Sequence, residues 1–446
     1  MSFEEDSTID NFDNDRDDLY LDILSERIDE IREYNTTVND PTMKELNQVN
    51  DTVLAYIKKN DLIVYGGTAI KKVVENKTGE ESDLASAVPD YDFFSTDSNK
   101  DSIRLSNMLM KKGFKYIHRY AAIHKNTFKI RVNFHKEAAA DISHVPEDLY
   151  RCIKTIKIDG VRYIHPEFMY IDLYLSFSNI TNYWRWEKDY RRITELKRLF
   201  PIKEPTDYTA DEPSPETDSI ITEVLNYIGN INESIVLTGI AGYNMYPDTD
   251  KLPVHFIDIY HADPGVLAEK LRDHINDTVN VNMEYEHSES FMGHYPECYR
   301  VYVDDISIVN IYDSRELHIV TKKMKGEPTD MSGEFTFLVP CFDHIMYNLH
   351  ASLVLHCYFE EDQMYKLTKK AIVNLNNAQK IWNDNNGLIG IEPNNPYQIL
   401  IDSGYDYRDS FVYQTNVKYA NREVETRVYR PELSYIADND IDEYHY

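Results

Sequence analysis

Two stretches of this chain read alike, and the repetition limits what it can fold into. Leu62-Ile-Val-Tyr-Gly-Gly-Thr-Ala-Ile70 and Ser234-Ile-Val-Leu-Thr-Gly-Ile-Ala-Gly242 each hold an apolar run of strand length that ends at glycine. A helical pattern precedes each: one after Asn39-Asp-Pro41, with Met43, Leu46, Val49, Val53, Leu54 and Ile57, the other from Ile220 to Ile228. A second strand pattern follows each, Pro89-Asp-Tyr-Asp-Phe-Phe-Ser95 in one case and Val254-His-Phe-Ile-Asp-Ile-Tyr-His-Ala-Asp263 in the other. Helices then follow, near Ile103 to Lys112 and from Pro264 to Ile275. This order is an α/β (α+β) plan, and its recurrence predicts two copies of one unit.

The first copy carries the chemistry. Gly66 and Gly67 remove two side chains where a backbone could approach a ligand closely. Thr68 opens a helix whose Ala69, Ile70, Val73 and Val74 share one face, with Gly79 as its stop. A strand, a glycine turn and a helix start together make a phosphate seat, because free N–H groups and the helix dipole favour an anion. In the following strand Asp90 and Asp92 project to one face, while Tyr91 and Phe93 project to the other. Side-by-side carboxylates repel unless a cation lies between them, and hard divalent ions such as Mg²⁺ prefer oxygen ligands. Asp141, after Ala138-Ala-Ala, supplies a third carboxylate. It follows a segment in which Phe128, Ile130, Val132 and Phe134 alternate with Lys129, Arg131, Asn133 and His135, a strand signature that places Asp141 on or beside a neighbouring strand. A lone Asp-x-Asp is common in a chain with 77 acidic residues; the order of the pieces is what gives it meaning.

The second copy keeps the skeleton and loses the charges. Gly239 falls on Gly66, Ile240 on Gly67, Phe256 on Asp90 and Asp258 on Asp92, with Asn310 near the place of Asp141. Two of three metal ligands are gone, so this copy is expected to be catalytically dead.

Tyr65-Gly-Gly-Thr-Ala-Ile70, Pro89-Asp-Tyr-Asp-Phe-Phe-Ser95, Ala140-Asp-Ile-Ser-His-Val-Pro146 and Ile164-His-Pro-Glu167 resemble the poly(A) polymerase catalytic subunits of large DNA viruses. These are the poxvirus, African swine fever virus and mimivirus enzymes, nucleotidyltransferases of the DNA polymerase β type. The resemblance is specific from about Asp61 to Phe200. It implies ATP as substrate, with its triphosphate at Gly66, Gly67 and Thr68, and two Mg²⁺ or Mn²⁺ ions on Asp90, Asp92 and Asp141. The reaction implied is transfer of AMP to an RNA 3′-hydroxyl with loss of pyrophosphate. One departure is the gap of 22 residues between Gly67 and Asp90, where Glu75-Asn-Lys-Thr-Gly-Glu-Glu-Ser-Asp83 reads as a polar surface loop. The alternatives are another nucleotidyltransferase, adding CMP or UMP or acting on a small acceptor, and a non-catalytic RNA-binding virion protein.

A net charge of −30 argues against a nucleic-acid partner until its distribution is read. Between residues 101 and 203, 20 Lys and Arg stand against 11 Asp and Glu. The densest stretch, Asn182 to Arg198, interleaves cations with aromatics, which suits phosphates and bases. The expected RNA track runs over Lys129, Arg131, Arg185, Lys188, Arg191 and Arg192. The competing reading is an amphipathic helix with Trp186, Ile193, Leu196 and Leu199 turned inward.

The expected layout is an acidic extension with one helix, Leu19 to Tyr34, over 1–40; a catalytic nucleotidyltransferase domain over 41–202; a proline-rich linker over 203–218; the degenerate domain over 219–330; and a helical, loop-rich part over 331–446. In that last part Phe342 to Tyr358 and Gln363 to Trp382 have helical spacing, and the chain is loop-rich from Gly390 to an acidic end. His344, His350 and His356 recur every six residues, which is no shared helix face, so they read as packed histidines rather than metal ligands. Scattered Cys152, Cys298, Cys341 and Cys357 fit a reducing compartment and neither a zinc site nor disulfides. No run of 18 apolar residues predicts a membrane span, and the first 20 residues lack a signal-peptide pattern. The resemblance further implies the virion and the host cytoplasm (viral factory) as location. It also implies either a homodimer or a processivity or cap-methyltransferase partner subunit.

Overall fold

The computed structural model describes residues 43–386 apart from 86–88, 123–125, 133–137, 210–211, 232–233, 280, 293–294, 305, 316, 318 and 330–332, and in addition 23, 25–28 and 396–397. The acidic first 18 residues, most of the expected helix from Leu19 to Tyr34, and the tail from Gly390 lie outside these residues, except for 396–397 in the tail. No described helix is long and apolar enough to cross a membrane.

The first unit runs α1 (Met43–Lys59), β1 (Ile63–Tyr65), α2 (Gly66–Thr78), β2 (Tyr91–Ser95), α3 (Ser98–Lys111), β3 (His118–Ala121), β4 (Thr127–Arg131), β5 (Ala140–His144), α4 (Glu147–Cys152), β6 (Thr155–Ile158), β7 (Val161–Ile164) and α5 (Pro166–Ser178). A 3₁₀ turn (Ile180–Arg185) leads into α6 (Trp186–Leu199). The second unit runs α7 (Pro215–Asn230), β8 (Val236–Thr238), α8 (Gly239–Asn244), β9 (Ile257–His261), α9 (Pro264–Val279), β10 (Met283–Ser288), β11 (Cys298–Val303), β12 (Ile306–Asp313), β13 (Thr321–Gly326), β14 (Phe335–Pro340) and α10 (Phe342–Tyr358), and α11 (Asp362–Asn386) follows.

Strand order makes the duplication explicit. The first sheet is β3-β4-β5-β2-β1-β7-β6 and the second β10-β11-β12-β9-β8-β14-β13, the same arrangement strand for strand. The registers agree as well. Tyr65 lies opposite Asp92 and Asp92 opposite Asp141; Thr238 lies opposite Asp258 and Asp258 opposite Asn310. The expected equivalence of Asp141 and Asn310 is therefore a matter of backbone pairing.

Local chemistry explains where the elements start and stop. Ile63 and Val64 are fully buried at the centre of the first sheet, and Val49, Val53 and Ile57 of α1 belong to the same core. Each such side chain contributes roughly 1.5–3 kcal/mol by leaving water. Helix α3 begins at Asp97, whose carboxylate accepts the Lys100 N–H at 3.0 Å. Gly79 stops α2 with φ 74°, its N–H donating to Glu75 O. Residues 75–78 are therefore helical, and the expected surface loop begins only at Gly79. The linker is also shorter than expected, because Ser214 caps Thr217 N at 3.1 Å and Pro215 occupies the first helical position. The hairpin β13–β14 puts the far edge of the second sheet beyond residue 330, where the sequence suggested a domain boundary.

The two copies meet through their equivalent helices. Helix α5 follows β7 as α10 follows β14, and α5 packs on α10. The end of α5 meets the start of α10, where Ser178 Oγ lies 3.3 Å from His344 Nδ1. His350 stacks on Tyr170 and Tyr174, at centroid distances of 4.7 and 5.6 Å, with Nδ1 3.3 Å from Glu167 O. These histidines are packed core residues, as their spacing suggested.

Burial pushes both imidazoles down to about 3. A folded pKa below the unfolded value gives stability that is complete above about pH 6.5 and is lost as pH falls through it. At pH 5 each buried neutral histidine is expected to cost about 2 kcal/mol. Urea unfolding of His350→Phe should show a drop between pH 7.5 and pH 5 smaller than the parent's by that amount; an unchanged drop would mean that the imidazole protonates freely in the fold.

Candidate active site

Strand β1 ends and α2 begins without a loop between them. Gly66 has φ +70°, a left-handed conformation that glycine alone adopts without strain. A β-carbon there would collide with Oδ2 of Asp92. A β-carbon on Gly67 would collide with Nη2 of Arg192. The sequence suggested that the glycines clear room for a ligand; the structure shows that they clear room for a carboxylate and a guanidinium of the protein itself. No side chain caps the α2 N-terminus. Thr68, expected to contact phosphate, donates its hydroxyl to Asp90 O at 2.7 Å, so its side chain fixes the start of the acidic strand.

Asp92 and Asp141 sit side by side on adjacent parallel strands. Asp90 lies just before β2 and is exposed. Burial raises the Asp92 pKa well above the usual carboxylate range, and Asp90, Asp141 and Asp172 raise it further, while Lys129 opposes them. Lys129 stands opposite Asp141 across β4–β5 and forms an ion pair with its Oδ2. Burial works against the Lys129 charge, but Asp141 and then Asp92 outweigh it and its pKa is raised. Lys129 therefore belongs to the carboxylate site and leaves the expected RNA track.

Among the described residues, no three acidic, histidine or cysteine groups are drawn together closely enough to hold a metal ion. The donor set nevertheless fits one. Oδ1 of Asp141 is buried with no hydrogen-bond partner, and Asp92 is pressed toward its neutral form by like charges that a divalent cation would relieve. The expected trio is thus only partly assembled, as an adjacent pair with Asp90 at its edge.

The structure adds residues that the sequence did not point to. Asp172 of α5 borders the space beside Tyr65 and Gly66, and Met292 of the second copy borders the same space. Met292 N donates to His144 O at 3.1 Å, joining that segment to the end of β5. Tyr65 stacks on Phe94 at 4.1 Å, and its hydroxyl lies 2.8 Å from Ser143 Oγ.

Helix α6 and the turn before it divide the expected cationic track. Buried Asp189 accepts from Ser176 Oγ at 2.7 Å. Arg192 is buried, pairs with Asp189 at 3.7 Å and donates Nε–H to Leu84 O at 2.8 Å. Arg185 pairs with Asp189 at 3.4 Å and Asp172 at 3.8 Å. Arg191 is exposed but bonded to Asp83 at 2.7 Å. These three arginines hold α6 and the 82–84 segment around the glycine turn. Ile193 and Leu196 are buried, as the amphipathic reading expected, while Lys188, Tyr183 and Trp184 face outward, Trp184 being 72% exposed. Arg131 is exposed on β4, its guanidinium 5.4 Å from the Tyr120 ring centroid.

The second copy shows the same backbone without the chemistry. Gly239 has φ +61°, and a β-carbon there would collide with Oδ2 of Asp258. Asp258 accepts from Asn310 Nδ2 at 2.9 Å and Tyr312 Oη at 3.2 Å. The Gly239 N–H donates to Asn348 Oδ1 at 3.0 Å, so a side chain already takes a donor of the anion seat. Aligned from the helix starts Pro166 and Phe342, Asn348 of α10 occupies the position of Asp172 on α5.

The glycine contact can be measured. Gly79→Ala meets no neighbouring atom and should cost only the left-handed backbone penalty, about 1–2 kcal/mol. Gly66→Ala should cost clearly more in urea unfolding, and Asp92→Ala should recover part of the excess in the double variant. Equal costs at the two glycines would refute the close approach of Asp92.

Comparison with known proteins places these features in a family context. Residues 51–182 match the family model for the poly(A) polymerase catalytic subunit. A protein of Acanthamoeba polyphaga mimivirus, provisionally named a poly(A) polymerase catalytic subunit, is 33% identical over 254 residues, covering 55% of this chain and 41% of the relative. A provisionally named counterpart from African swine fever virus is 30% identical over 165 residues, 35% of this chain and 34% of the relative. The chain thus spans less than half the length of either curated relative. The crystal structure of the Megavirus polyadenylate synthase superposes with a TM-score of 0.72 at 23% identity, covering 99% of this chain and 90% of that one. Residues 51–182 are thus similar to the poly(A) polymerase catalytic subunit family, and nearly the whole chain shares the fold of the Megavirus polyadenylate synthase.

Proposed function

We propose that the chain is a poly(A) polymerase, transferring AMP from ATP to an RNA 3′-hydroxyl with release of pyrophosphate. The observation that carries this reading is the asymmetry between the copies. The adjacent carboxylates Asp92 and Asp141 beside Gly66 persist in the first, while the same positions are satisfied internally in the second.

The triphosphate would lie at the N-terminus of α2 on the backbone of Gly66, Gly67 and Thr68, with Arg192 beside Gly67 adding positive charge. Asp90, Asp92 and Asp141 would hold Mg²⁺ or Mn²⁺. A divalent cation there supplies phosphate charge neutralisation and lowers the pKa of the 3′-hydroxyl. The RNA oxygen bonds to the α-phosphorus, the bond to the bridging oxygen breaks, pyrophosphate leaves and the hydroxyl proton passes to solvent. Thr68 fixes the backbone at Asp90, and Lys129 holds Asp141 through an ion pair. RNA would approach over Trp184, Lys188 and Arg131. A location in the virion and host cytoplasm belongs to the same proposal and rests on the sequence resemblance alone.

The deciding assay is incubation of the pure chain with a short RNA, Mg²⁺ or Mn²⁺, and each NTP in turn. Extension by ATP alone, abolished by EDTA, is expected; extension by CTP or UTP instead would replace the adenylate reading. Asp92→Asn and Asp141→Asn should each lower turnover by several orders of magnitude while the protein stays folded. Asp258→Asn should leave turnover near the parent's, because its neighbours are Asn310 and Tyr312. Full turnover in Asp92→Asn would exclude the metal role assigned to it.

The exposed face gives a separate prediction. Replacing Trp184 and Lys188 together by Ala should raise the KM for RNA much more than that for ATP. It should also flatten the salt dependence of RNA binding by roughly 0.7 in log–log slope for each RNA phosphate left without its cation. An unchanged slope would mean that RNA enters elsewhere.

A further inference from the structure

The counterpart of the catalytic face on the second sheet has not been packed shut. A cavity of about 590 Å³ opens there, lined among others by Phe256, Arg300, Tyr302, Asn310, His356 and Phe359. That volume lies within the usual range for small-molecule sites, about 300–1,000 Å³.

Register relates this cavity to the first site. Arg300 stands opposite Asn310 across β11–β12, as Lys129 stands opposite Asp141 across β4–β5. Lys129 spends its charge on Asp141, but Arg300 faces a neutral amide. Among the described residues no carboxylate lies within 4.0 Å of its guanidinium. Its Cζ is 4.4 Å from the Phe359 ring centroid. Phe256, two residues before Asp258, presents a ring in the place of Asp90. Glu361, also on the cavity wall, is engaged with His356 Nδ1 at 2.8 Å.

The carboxylate cluster of the first site is thus replaced by an arginine among aromatic rings, with Glu212 and Glu361 also on the cavity wall. A triphosphate cannot be held there as in the first copy, because Asn348 takes the Gly239 N–H and two metal ligands are missing. What the cavity still offers is stacking surface and one guanidinium, the pair of features that a single nucleotide unit needs.

We propose that this cavity binds one nucleotide unit without a metal, its base on Phe256, Tyr302 and Phe359 and its phosphate on Arg300. Such a unit has two sources, free nucleoside monophosphate or a residue of an RNA strand. This inference rests on the duplication and not on the transferase reading, so its test needs no turnover.

Equilibrium dialysis of the full chain in EDTA, with labelled AMP and separately with penta-adenylate, reads it out. Arg300→Ala should weaken binding of at least one probe about tenfold or more, the loss expected for one charge-assisted hydrogen bond. Arg300→Lys should recover part of it. Arg272→Ala, at an arginine of the same unit bonded to Asp273 and outside both sites, should bind as the parent does. Loss confined to AMP identifies the free nucleotide as source, and loss confined to penta-adenylate identifies RNA. Phe256→Leu is the second reading if Arg300→Ala does not fold, and it should weaken the same probe. Parent-like binding of both probes by Arg300→Lys and Phe256→Leu, or no binding by the parent, would overturn the proposal. So would crosslinking of 8-azido-AMP in EDTA to the Gly66 segment alone.

Discussion

At Gly66 the chain has no side chain because a carboxylate stands where one would be. That contact ties three requirements to one point: a left-handed backbone, the start of a helix, and an acidic residue on the neighbouring strand. The helix start aims N–H groups outward while the carboxylate gathers negative charge beside them. These opposite signs at close range are what the proposed reading uses to hold a phosphate and a cation together. The rest of the unit keeps this point rigid. Buried Ile63 and Val64 fix the strand, and the Arg185–Asp189–Arg192 group clamps α6 and the 82–84 segment around the turn.

The same contact survives in the second copy with other consequences. Asp258 still lies against Gly239, but amide and phenol donors satisfy it, and burial pushes its pKa up to about 6. A lone buried carboxylate with two neutral donors is a tolerable core group; three clustered carboxylates are not, unless a cation shares them. With Asn310 and Phe256 in place of carboxylates, the second copy keeps the scaffold without clustering like charges.

Much of this was legible in the residues. Apolar runs, glycines and carboxylates follow local rules, and the two copies corroborate each other. The misses have physical causes. Asp172, Asn348 and Met292 reach their sites from helices and loops far along the chain, and periodicity carries no signal for such encounters. The hairpins β6–β7 and β13–β14 are short and carry lysines on exposed positions, so they do not stand out as apolar strands. Helix α6 did carry a readable signal: Asp189, Arg192, Ile193 and Leu196 fall at the spacing of one inward face. Two charges on an apolar stripe announce a buried pair, and that pattern separates Arg192 from the outward Lys188.

The pairing of α5 with α10 has a topological consequence. Phe168, Met169, Tyr170, Ile171, Leu173 and Tyr174 are all buried, although a single sheet could cover only one side of the helix that bears them. The chain therefore behaves as a dimer fused into one polypeptide, with a permanent seam in place of an association equilibrium. Cutting it at residues 203–214 would leave each half with an adhesive helix. Each copy therefore relies on the other to cover the helix that completes its core.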